Sequence, residues 1–115
     1  MVKLTAGKDE PERCNQALTV AAAAAASGVP VTLWLTGEAS WFALPGGCPD
    51  LSLPHATPLP DLFAAVLGAG RVTLCTQCAA RRDITEDDVV DGIRIAGATT
   101  FVAEILADGV QALVY

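Results

Sequence analysis

Cys75 and Cys78, set three residues apart and followed by Arg81 and Arg82, are the side chains of this sequence best placed to do chemistry. They lie in Arg71-Val-Thr-Leu-Cys-Thr-Gln-Cys-Ala-Ala-Arg-Arg82. Here Val72 to Cys75 reads as a short apolar strand that runs straight into a C-x-x-C turn and a helical segment. Where a strand's carboxyl end meets a helix's amino end, unpaired backbone N–H groups favour negative charge. A thiol in that position ionises more readily and becomes a better nucleophile. The two arginines follow Cys78 by three and four residues, so on a helix they are its neighbours and add to the effect. By itself the motif is open to redox, metal-binding and sulfur-transfer chemistry. It is a poor metal signal, because a structural zinc site needs four ligands and the remaining candidates, Cys14, Cys48 and His55, are scattered. No metal and no cofactor is expected. A thioredoxin-like motif normally follows an early strand and an aromatic residue, whereas Leu74 precedes Cys75 late in this chain. Thiol-disulfide exchange through Cys75 and Cys78 is therefore the alternative to sulfur transfer.

The elements that must hold these thiols can be read in order. Val2 and Leu4 suit a short buried strand. Asp9-Glu10-Pro11-Glu12 then signals a helix start, with a proline tolerated in the first turn and acids at the positive end of the dipole. That helix is predicted to run to about Ser27, with Cys14, Ala17, Leu18, Ala21, Ala22 and Ala25 on its inner stripe. Val29 to Leu35 has the unbroken apolar pattern of an interior parallel strand, which completes a right-handed βαβ unit. A helical turn is expected from Glu38 to Leu44. Five of the seven prolines then fall in residues 45–60, a stiff irregular loop that carries Cys48 and His55 and that could cover the C-x-x-C turn.

Pro60 to Phe63 opens the helix that precedes the central strand. Beyond the arginines, Ile84-Thr85-Glu86-Asp87-Asp88-Val89 predicts a short helix with Thr85 as cap and Asp88 closing a capping box. Ile93 and Ile95 form a minimal strand around Arg94. A further helix carries Val102, Ile105 and Leu106 on its inner side, and Leu113 to Tyr115 is a last short strand. Alternating strands and helices predict a three-layer α/β/α domain with a mostly parallel sheet, and residues 1–115 are expected to form one domain.

Composition narrows the function classes. The net charge is −6 and no basic stripe is present, which argues against nucleic-acid binding. The apolar run from Leu18 to Ala26 is too short for a bilayer span, and the first thirteen residues lack the cationic start of a signal peptide. The protein is placed in the cytoplasm, without a membrane contact, where its four cysteines are expected to be thiols. Hydrophobic residues make up 52% and charged residues 17%, below the usual quarter. This surplus predicts that part of the surface is covered by further copies of the chain.

The segment Val72 to Ile84, with Cys75 at the strand end, resembles the DsrE/DsrF family of sulfur-relay proteins. So does Asp91-Gly-Ile-Arg-Ile-Ala-Gly-Ala98. The likeness extends to the opening strand, the Ala-rich helix and the Val31-Thr-Leu-Trp-Leu-Thr-Gly37 segment, and is most specific from Cys75 to Arg82. It implies a doubly wound, flavodoxin-like sheet of about five strands and homo-oligomers such as trimers or hexamers. It also implies a persulfide on the cysteine matching Cys75, exchanged with sulfur-donor and sulfur-acceptor proteins. The activity expected is that of a sulfur carrier or sulfurtransferase, with Cys78 as a possible second thiol and Arg81 and Arg82 supporting the site. A non-catalytic oligomeric binding module is the reading from a different class.

Overall fold

A computed structural model describes all of residues 1–115. Five parallel strands, β1 (Val2–Leu4), β2 (Thr32–Leu35), β3 (Arg71–Cys75), β4 (Ile93–Ala96) and β5 (Leu113–Val114), form one sheet in the order β4-β3-β2-β1-β5. Four helices connect them: α1 (Pro11–Ala26), α2 (Leu59–Ala69), α3 (Thr76–Ala80) and α4 (Ala98–Ile105), with a 3₁₀ helix at Gly37–Ala43. The strand order reverses direction beside β1, as expected of a doubly wound α/β fold, and puts the carboxyl ends of β2, β3 and β4 side by side.

The two faces of the sheet differ in kind. Val2, Leu4, Leu33, Leu35, Val72, Leu74 and Ile93 belong to a continuous apolar core with α1 and α2. The inner stripe of α1 is largely as the periodicity predicts: Cys14, Ala17, Leu18, Ala21 and Ala22 are buried, while Ala25 is half-buried. Small side chains there allow the helix backbone to lie close to its neighbours. On the opposite face the register aligns Lys3, Trp34, Thr73 and Arg94 across four strands. Helix α4 lies over this row. Trp34 is buried, stacks edge-on against Phe101 and donates from Nε1 to Glu104 (2.9 Å). Glu104 also pairs with Arg94, whose Nε donates to Thr73 (2.9 Å). A polar network thus fixes α4 where a hydrophobic stripe was expected.

Four expectations need correction. Strand β2 begins at Thr32, not Val29: Val29 is 53% exposed and Pro30 has no N–H to give a ladder. Ile84 to Val89 is a turn and not a helix. The cap itself forms, since the Thr85 N–H and hydroxyl both donate to Asp88 (2.8 and 2.7 Å), but Val90 commits its N–H to Ala43 O (2.8 Å), so no helical ladder propagates. Helix α4 turns Phe101 and Glu104 inward and leaves Val102 and its C-cap Leu106 exposed, and it buries no residue fully. The proline-rich loop packs away from the C-x-x-C turn. Its residues Leu53 to Thr57 line a groove with Glu12, Asn15, Gln16 and Thr19 of α1, and Asn15 donates to Thr57 O. No helix is long and apolar enough to cross a membrane.

Candidate functional site

Cys75 is the last residue of β3 and Cys78 lies in the first turn of α3, so the strand-to-helix junction read from the sequence is present. The two thiols face different surroundings. Cys75 is half-buried and lines a cavity of about 440 Å³ on the α4 side of the sheet, together with Lys3, Trp34, Thr36, Gln77 and Phe101. Cys78 is 8% exposed and sits beneath the 3₁₀ helix, where its Sγ accepts the Gly37 N–H (3.3 Å).

Burial pushes the Cys78 thiol up, but the Gly37 N–H, the Cys75 and Ser40 side chains and the Arg82 guanidinium outweigh it and hold Cys78 below the usual thiol range. Of these donors only the Gly37 N–H is in full hydrogen-bond geometry. Ser40 Oγ and Arg82 Nε are buried and make no hydrogen bond at all. Unpaired buried donors are costly in a folded protein, and both Ser40 and Arg82 favour the charged form of the Cys78 sulfur. The sequence led to a lowered thiol at Cys75, with the arginines beside Cys78; the thiol the structure holds low is Cys78, whose donors come from the loop after β2 as well as from its own helix.

Arg82 is held in place from three sides. It donates to Cys78 O (3.3 Å) and Glu38 (2.8 Å) and lies over the Trp41 ring, 5.5 Å from its centroid. Arg81 caps the end of α3 and is exposed, and it makes no ion pair. Sequence reasoning missed Gly37, Ser40 and Glu38, because they reach Cys78 and Arg82 through tertiary contact. The one available signal was the glycine closing the Trp-Leu-Thr-Gly segment.

Gly37 has φ +53°, and a Cβ there would stand 2.7 Å from Thr5 O. Gly37→Ala is therefore expected to cost about 2 kcal/mol, from left-handed backbone strain and the contact with a main-chain oxygen. A thermal melt should show a drop of several degrees. A variant as stable as the native protein would show that this loop tolerates a side chain.

The other two cysteines lie apart from this site. Burial raises Cys14 to about 12, with Cys48 and Asp9 adding to it, and burial raises Cys48 to about 12. Both stabilising contributions are complete below the ordinary cysteine value of 9.0 and are lost as pH rises toward about 12. Alkylation of the native protein at pH near 8 should label Cys75 or Cys78 and spare Cys14 and Cys48; rapid labelling of either would contradict their burial. His55 is exposed on the proline-rich loop and does not line the Cys75 cavity. No group of three or more His, Cys, Asp or Glu side chains is arranged to hold a metal ion. The larger groove of about 900 Å³ between the start of α1 and Tyr115 contains no thiol.

A family model described as the DsrE/DsrF-like family matches residues 1–115. The uncharacterized protein MJ0760 of Methanocaldococcus jannaschii is 30% identical over 98 residues, 84% of this chain. This chain spans only 36% of that relative's length. The crystal structure of the ychN protein from E. coli superposes with a TM-score of 0.77, covering 99% of this chain and 97% of that one at 20% identity, which shows a shared fold.

Proposed function

This chain belongs to the DsrE/DsrF-like family, and from that premise we propose that it is a cytoplasmic sulfur carrier in which Cys75 accepts and passes on sulfane sulfur. The observation that supports this most is the pairing of two unlike thiols in one turn. Cys75 is half-buried on a cavity wall, and buried Cys78 is held toward thiolate by donors fixed around it.

The chemistry balances without an added oxidant. Cys75 Sγ attacks the outer sulfur of a donor R–S–SH as its own proton passes to the Cys78 thiolate. The donor's S–S bond breaks, a new S–S bond forms on Cys75, and R–S⁻ leaves to take the proton back from Cys78. An acceptor thiolate then attacks the outer sulfur of the Cys75 persulfide, and the released Cys75 sulfur takes a proton from solvent to restore the thiol. Gly37 and Arg82 favour the charged form of Cys78, and Glu38 and Trp41 keep Arg82 in place.

The same proximity favours a second reading. The Cys78 thiolate could attack the inner sulfur of a Cys75 persulfide, forming a Cys75–Cys78 disulfide and releasing HS⁻. Intact-protein mass spectrometry after brief exposure to a sulfane-sulfur donor separates the two. A gain of about 32 Da, mapped to the peptide holding Cys75, supports the carrier. A loss of about 2 Da supports the disulfide. An unchanged mass would leave the non-catalytic binding module as the better reading.

Self-association belongs to the same proposal. Val102 of α4, Leu106 at its C-terminal cap, and Val110, Leu113 and Val114 beside or within edge strand β5 are exposed, Leu106 at 75% and Val114 at 66%. A second copy of the chain, as part of a trimer or hexamer, would cover them. Light scattering should report a mass well above 11.8 kDa, and a Leu106→Glu variant should shift it down; a monomeric native protein would refute this assembly.

A further inference from the structure

The cavity that Cys75 opens into has walls of two kinds, and the proposed chemistry uses only its thiol. Trp34 and Phe101 form an apolar corner, their rings 5.2 Å apart and perpendicular. Lys3 supplies the charge. Its Nζ lies 5.2 Å from the Phe101 ring centroid and the residue is half-buried, and its side chain has no partner among the ion pairs. Glu104, the acid bonded to Trp34, is engaged by Arg71 and Arg94. An ammonium at an apolar cavity with no carboxylate partner is an unfilled anion position, because a carboxylate there would gain a charge-assisted contact. Gln77 and Thr36 add polar edges.

Size and charge together define the ligand. A cavity of about 440 Å³ is in the range of sites for small organic molecules and far exceeds a few-atom inorganic sulfur anion. The aromatic corner suits an organic body, the lysine suits a carboxylate, and Cys75 on the same wall suits a reactive sulfur.

We infer that this cavity binds a low-molecular-weight organic persulfide bearing a carboxylate, placing its outer sulfur at Cys75 and its carboxylate at Lys3. The inference rests on the reading of Cys75 as the sulfur acceptor and names the class of donor that loads it. The transfer is R–S–SH plus the Cys75 thiol giving the Cys75 persulfide plus R–SH, with the Cys75 proton passing by way of Cys78 to the leaving sulfur. The bond between the donor's two sulfurs breaks, and the leaving group, protonated from Cys78, remains in the cavity as a thiol until it exchanges with solvent. Lys3 is here a positioning residue for the donor and takes no part in the bond changes.

Two donors that differ in charge test it. Loading of native protein by glutathione persulfide should saturate, and Lys3→Gln should raise its KM about tenfold with kcat unchanged, the loss expected of one charge-assisted contact. Loading by hydroxyethyl persulfide, an uncharged donor, should be the same in both proteins. Equal KM values for glutathione persulfide would overturn the donor site and leave the sulfur-carrier reading standing. If the native protein takes sulfur from neither donor, the carrier reading fails, and binding decides the site. Calorimetry with S-methylglutathione and the unreactive Cys75→Ser protein should show binding that Lys3→Gln weakens about tenfold. Absence of that binding would overturn the site independently of any activity.

Discussion

A Cys75→Ser protein exposed to a sulfane-sulfur donor is expected to keep its original mass, while the native chain gains about 32 Da. The expectation follows from access. Among the four cysteines, Cys14 and Cys78 are buried, and Cys48 is half-buried on the loop with its thiol pushed up to about 12. Cys75 is the thiol on the wall of the site cavity. Serine preserves the size and the position at the end of β3 but lacks a sulfur able to form the new bond, so the loss should be complete. Folding should be unaffected, because Cys75 lies outside the apolar core. The check is the mass of the intact protein beside its melting curve. A variant that still gains one sulfur, at native stability, would move the acceptor role to another cysteine.

Cys78→Ser should separate rate from capacity. The variant retains Cys75 and should reach the same final gain in mass, but about a hundredfold more slowly near neutral pH, the contribution expected of a placed proton acceptor. In the native protein the loading rate should rise with pH through a midpoint set by Cys78. Burial raises that midpoint, and the Gly37 N–H, Cys75, Ser40 and Arg82 bring it below the ordinary thiol value of 9.0. Arg82→Gln removes one of these donors, so the midpoint should move to higher pH. The sign for stability agrees. A thiol whose folded value is lowered contributes stability above its unfolded value and loses it as pH falls through the folded one. Stopped-time mass spectrometry across pH provides the profile. Loading of Cys78→Ser at the native rate would remove Cys78 from the proton path and leave it a purely structural neighbour.

The α4 side of the molecule shows how site and fold depend on each other. Trp34, Glu104, Arg94 and Thr73 are linked by hydrogen bonds that hold α4 over the sheet, and Phe101 of that helix is a wall of the Cys75 cavity. A helix with no fully buried residue would be weakly anchored by apolar packing alone. The buried indole and the carboxylate that accepts from it replace that packing. The geometry of the cavity is therefore set by polar contacts, while α1 and α2 stabilise the opposite face through the apolar core.

Much of this architecture is local and was legible in the residues. The period of α1 with its proline in the first turn, the helix before β3 and the placement of Cys75 at the junction of strand and helix all follow from neighbours in sequence. The parallel α/β class follows from the alternation of such elements, and the likeness to the sulfur-relay family from the run between Cys75 and Arg82. What only the tertiary structure decided are relations between residues far apart in the chain. Gly37 meets Cys78 and Glu38 meets Arg82 because β2 and β3 are adjacent and end together. Lys3 meets Phe101 because β1 lies beside β2 under α4. The helix expected after Ile84 is absent because Val90 bonds to Ala43. Sequence spacing governs hydrogen bonds and side-chain stripes within a few residues, whereas the ionisation of Cys78 and the charge in the cavity are sums over groups that only the sheet order brings together.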